Sequence, residues 1–237
     1  MDKVLSELVD RLRRAYDARL VAVILYGSAA SAGEFDRAYS DLNTLCVLST
    51  LGVDELGASE AIFRWWRDKG HPAPLLMAEQ EVATSTDCFP IEFTDMLDRR
   101  RVLHGRDVIE GLEIDRRFYR AQVEYELRSK LIRLRQKAAG VLNDHELLIN
   151  LMADSESTFL VLARHVLALG GFERPRARQE TIAALERSFG VASHPFETLL
   201  AVREGRVKRS AAEARPLFGS YLAGVQTLVN AVDRLDG

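Results

Sequence analysis

The chain has 237 residues, 47% of them apolar, enough for one large domain or two modest ones with buried cores. Its 32 basic and 35 acidic side chains leave a net charge of -3, so no global field draws it onto nucleic acid or anionic lipid, and any polyanion must be gripped locally. No stretch reaches the ~20 apolar residues of a membrane span and the N-terminus has no leader pattern, so a cytoplasmic protein without membrane contact is expected.

In chain order, Val4, Leu5, Leu8, Leu12, Tyr16 and Leu20 recur at helical spacing, and the β-branched run from Leu20 to Tyr26 predicts a buried strand directly after that helix. Residues 42–48 form a second strand candidate. Residues 55–69 read as an amphipathic helix ended by Gly70 and Pro72, and a third strand begins near Pro74. Residues 89–97 alternate and are expected to be a further strand, closed by residues 101–105. Cys46 and Cys88 lie far apart in apolar or strand-like runs and read as packed thiols rather than a disulfide or zinc pair.

From Asp115 onward the period changes. Leu127, Leu131, Leu134 and Ala138 repeat at steps of four, three and four, and breaks near Gly140, Gly170-Gly171, Gly190, Pro195 and Gly205 divide about five helices. The fold class expected is therefore α+β: a mixed sheet with flanking helices over residues 1–112, then an all-α helical bundle over residues 113–237.

The chemistry concentrates in LYGSAASAGEFDRAYSDLNTLCVL, residues 25–48. Gly27 permits a tight turn after the first strand, and Ser28 opens a short helix start whose free N–H groups suit a phosphate. Residues two apart in a strand share a face, so Asp41 and Asn43 project together where the second strand begins.

A strand, Gly27-Ser28, a helix start, and Ser40-Asp41-Leu42-Asn43 leading into another strand resemble the nucleotidyltransferase superfamily related to DNA polymerase β, whose small bacterial members include the kanamycin and streptomycin nucleotidyltransferases. The resemblance covers roughly residues 1–112. It implies the fold of that superfamily and the transfer of a nucleoside monophosphate from a nucleoside triphosphate to an acceptor hydroxyl, with Mg²⁺ as cofactor. Hard cations of this kind take carboxylate oxygens. Carried over residue by residue, it assigns Gly27 and Ser28 to the triphosphate, and Asp41, Asn43 and Glu92 to metal. Asp41 and Glu92 become the catalytic acids, with Glu92 also a general base.

Position 43 departs from the family pattern, which carries a carboxylate there. Asn43 offers a neutral carbonyl oxygen and no charge. Two readings follow: an Mg²⁺-dependent nucleotidyltransferase attenuated by Asn43, acting on a hydroxyl of a small molecule or protein, or an inactive scaffold that senses nucleotide or binds a partner.

On the strand reading of residues 89–97, Glu92 and Asp95 point to opposite faces, and Asp95 is left as a strand-end residue. Arg99-Arg100-Arg101 and the basic run Arg128, Lys130, Arg133, Arg135 and Lys137 read first as solvated charge, the latter supported by Glu124 and Glu126 four residues ahead of Arg128 and Lys130. Of Trp65 and Trp66 at most one faces a core, which leaves the other for a domain or subunit contact, and a homodimer stays open. The partners expected are a nucleoside triphosphate and a hydroxyl acceptor, and not nucleic acid.

Overall fold

The structure, a computed structural model, describes residues 1–30 and 42–235. It divides into two compact units, Met1–Asp115 and Arg116–Gly237. No helix among the described residues is long and apolar enough to cross a membrane.

The first unit is built on a four-stranded sheet. Helix α1 (Asp2–Tyr16) leads into β1 (Leu20–Tyr26). After β2 (Asn43–Leu48) come α2 (Val53–Asp68), β3 (Leu75–Ala78), the short α3 (Glu79–Thr84), α4 (Pro90–Asp98) and β4 (Arg100–Gly105). The strand order is β3-β2-β1-β4, with β1 antiparallel to both β2 and β4, and β3 parallel to β2. The sheet is thus mixed, as expected.

Both central strands are covered on both faces, which is why they read as continuous apolar runs. On one face Val23, Leu25, Cys46 and Leu48 meet Leu5, Leu8, Leu12 and Tyr16 of α1 and Ile62 and Trp66 of α2. The Tyr16 hydroxyl donates to the Glu55 carbonyl at 3.0 Å, tying the two helices together. On the other face Ala22, Ile24, Leu45 and Val47 meet Val82 of α3 and Phe93 and Met96 of α4. Burial pushes the Cys46 thiol up to about 12, so it stays protonated and packs as an apolar group. Gly105 is required where β4 meets β1: a Cβ there would lie 1.9 Å from the Val21 carbonyl oxygen.

Residues 89–97 are not a strand. Pro90 to Asp98 form α4, and the fourth strand is Arg100–Gly105. Pro90 stands at the helix start, where a missing N–H costs nothing, and Pro90, Phe93 and Met96 bury one helical stripe. Over nine residues the apolar pattern fits either period, and the proline decides for the helix.

The second unit is all helical: α5 (Arg116–Val141), α6 (His145–Leu169), α7 (Arg178–Phe189), α8 (His194–Arg203) and α9 (Ala214–Asp233). Asp144 caps α6, its carboxylate accepting from the Leu147 N–H at 2.9 Å. α6 is the central helix, packing against α5, α7, α8 and α9. Phe159, Phe196 and Tyr221 form edge-to-face pairs in its core. Inside it the Tyr119 hydroxyl lies 2.7 Å from His165 Nδ1, which partners one ring nitrogen of a buried histidine.

Candidate active site

Of the residues that the sequence singles out, Gly27 and Asn43 meet at the C-terminal end of β1. Tyr26 pairs across the ladder with Asn43 on one side and Arg100 on the other. Gly27 follows with φ +78°, a left-handed conformation that favours glycine. Its N–H donates to the Arg99 carbonyl at 3.1 Å, and its own carbonyl accepts from the Ala30 N–H at 3.0 Å, closing the single 3-10 turn Ser28–Ala30. A Cβ on Gly27 would stand 3.5 Å from Asn43 Nδ2, so the turn lies directly against the Asn43 amide. Gly27 and Asn43 are therefore brought together. Asp41 lies outside the described residues, and of the Ser28 side chain nothing is described.

Glu92 comes to this end of the sheet from an element that sequence reasoning did not foresee. In α4, Glu92 and Asp95 are three residues apart and share a helix face. Both act on Tyr26: burial pushes its phenol above the ordinary tyrosine value, and the charges of Glu92 and then Asp95 push it further. Glu92 is exposed and Asp95 half-buried. The strand reading had separated these two acids onto opposite faces, and the helix reunites them. Tyr26 is the residue that sequence reasoning passed over, and Asp95 is the one it reads only as a strand end. The usable signal was the i,i+3 spacing of the acids behind Pro90.

Arg99, Arg100, Arg101, Arg128 and Lys130 each make an ion pair of their own. Arg100 Nε donates to both Asp107 carboxylate oxygens, at 3.0 and 2.8 Å, and its Nη1 donates to the Leu97 carbonyl at the end of α4. Arg101 pairs with Asp2 at 2.9 Å and Arg99 with Asp98 at 3.3 Å. On α5, Arg128 lies between Glu124 and Asp233, and Lys130 pairs with Glu126. Trp66 is fully buried and donates to the Pro72 carbonyl at 2.8 Å, while Arg11 lies over the Trp65 ring at 4.2 Å.

Carboxylates and an amide are hard oxygen donors that suit Mg²⁺ rather than zinc. Among the described residues no group of three or more His, Cys, Asp or Glu could hold a metal ion; Asn43 lies beside Tyr26 on the ladder, and Glu92 and Asp95 act on the same Tyr26 from α4. The positive-φ turn at Gly27 leads directly into the 3-10 turn Ser28–Ala30.

No protein-family model and no curated protein matches the sequence. Among solved structures, spectinomycin adenyltransferase AAD(9) from Enterococcus faecialis, determined with ATP and spectinomycin, superposes with a TM-score of 0.60 at 14% sequence identity, covering 96% of this chain and 99% of that one. The chain thus has a nucleotidyltransferase-like α+β fold, and the likeness extends through the helical C-terminal region as well as the sheet.

Proposed function

We propose that the protein is a nucleotidyltransferase that moves a nucleoside monophosphate from a nucleoside triphosphate to a hydroxyl of a small molecule or protein, in the cytoplasm and with Mg²⁺. The fold carries the reading: nearly every residue of a chain determined with ATP and an acceptor-sized molecule has its counterpart here. The turn at Gly27 against Asn43, with two carboxylates gathered by α4 near the same strand end, supports the same chemistry.

In the reaction proposed, the acceptor oxygen forms a bond to the α-phosphorus and the bond from that phosphorus to the bridging oxygen breaks, so pyrophosphate leaves with the electron pair. Glu92 takes the acceptor proton, an exposed carboxylate being able to exchange it with water. Gly27 shapes the turn that receives the triphosphate, its own N–H being held by the Arg99 carbonyl, and Ser28 at the start of the 3-10 turn grips the phosphates. Asp41 and Glu92 would hold the metal with Asn43 as a neutral oxygen ligand, and the bound cation would offset charge on the attacking and leaving oxygens. Residues 1–112 form the catalytic domain and residues 113–237 the helical domain.

Asn43 favours a second reading, an attenuated or silent scaffold that binds nucleotide without turnover. Calorimetric titration with each nucleoside triphosphate, with and without Mg²⁺, in the native chain and in Asp41→Ala, tests the first. Mg²⁺-dependent binding that disappears in Asp41→Ala is expected, and no binding in either protein would sink it. Appearance of transfer activity only in Asn43→Asp would decide for the silent scaffold.

A further inference from the structure

Helix α5 carries two apolar stripes. The inner one, including Val123, Leu127 and Leu134, is buried where α5 packs against α6 and α9. The outer one is Phe118, Tyr125 and Ile132, which are 46%, 64% and 53% exposed. At about 100° per residue, Tyr125 stands roughly 160° around the helix from both Val123 and Leu127, and a spacing of seven returns to within ~20° of the same line. Alternating with the apolar positions, again at intervals of seven, are Gln122, Ser129 and Gln136. An open groove of about 320 Å³ runs beside this outer face.

We infer that this face of α5 is a self-association surface, on which two copies of the chain pair antiparallel about a two-fold axis at Ser129, with Tyr125 against the partner's Ile132 and Glu126 against the partner's Arg133. A two-fold interface requires one patch to be complementary to itself. Reversal about Ser129 meets that requirement, since it sets an apolar residue opposite an apolar one and an acid opposite a base, each contact occurring twice. Ser129 is small, so the two helices can approach at the axis.

The charges favour a second copy over a polyanion. Arg128 is neutralised between Glu124 and Asp233, Lys130 by Glu126, and Arg135 donates to Gln226. Arg133 is exposed and makes no ion pair within the described residues, so it is open to a partner's carboxylate. Glu126 already holds Lys130 at 3.3 Å through one oxygen, and the other is in reach only of the Gln122 amide at 3.5 Å. A carboxylate can accept from two cations.

Sedimentation velocity on the full chain, from micromolar to submillimolar concentrations, tests the pairing. A reversible dimer is expected. Tyr125→Lys, Glu126→Lys and Arg133→Glu should each weaken it by roughly tenfold or more, and the double variant Glu126→Lys/Arg133→Glu should recover most of the loss, because the charges are exchanged rather than removed. All three positions are on the outer face, and circular dichroism checks that each variant keeps its fold. In a Cys88→Ser background, Ser129→Cys should give a disulfide-linked dimer under mild oxidation. A chain that stays monomeric throughout, a dimer indifferent to these substitutions, or a double variant no better than the singles would overturn the inference.

Discussion

Glu156 is fully buried in α6, and neither of its carboxylate oxygens has a hydrogen-bond partner among the described residues. Burial pushes its carboxyl up to about 7. Arg178 on α7 and Arg203 on α8 oppose that shift, and Glu204 adds to it. Because the folded value lies above the unfolded one near 4.5, the native state holds this proton more tightly. The stability so gained is fully present below about pH 4.5 and is lost as the pH rises through about 7, of order 3 kcal/mol in all. Glu156→Gln keeps the shape and removes the titration. The variant is expected to be more stable than the native chain at pH 8, with a flatter dependence between pH 5 and 7, as read from urea midpoints across that range. Parallel curves for the two proteins would show that Glu156 is not the titrating group.

At the scale of the element, α4 decides what the sheet end can do. A strand would present one of its two acids to Tyr26, whereas a helix presents both. Glu92→Gln and Asp95→Asn should each bring the Tyr26 phenol partway down, and together they should bring it further. It should remain above the ordinary value, since burial is the largest cause of the shift. Ultraviolet titration of tyrosine absorbance, with Tyr26→Phe as the subtraction, reads this directly. No response to Asp95→Asn would mean that the two carboxylates do not share the face. The same helix explains the fate of the arginine triplet: Arg100 reaches back to the Leu97 carbonyl, so it closes α4 rather than waiting for a ligand.

Across the whole molecule, two compact units each carry a core of their own, one on a two-faced sheet and one around α6. The second is stabilised by contacts internal to it, such as the Tyr119–His165 hydrogen bond and the edge-to-face packing of Phe196 on Tyr221. Gly224 lets α9 come close to α8 there, since a Cβ at that position would fall 2.8 Å from the Phe196 ring. Residues 116–237 expressed alone should therefore fold to a helical protein with a cooperative thermal transition by circular dichroism. A broad, non-cooperative loss of signal would mean that this unit depends on the first.

Sequence by itself was enough for β1, β2, the five C-terminal helices and the turn at Gly27, because each rests on local signals: runs buried on both faces, steps of three and four between apolar residues, and a glycine after a strand. Tertiary structure decided the rest. Residues 89–97 satisfy both the two-residue and the 3.6-residue period, and Pro90 at the helix start together with the packing of Phe93 and Met96 under the sheet made them a helix and gave Glu92 and Asp95 a common face. The basic run of α5 reads alike whether its charges are free or paired. Asp233, more than a hundred residues along the chain, had to be folded against Arg128 before that charge was neutralised, and long-range pairing of that kind leaves no periodic trace in a sequence.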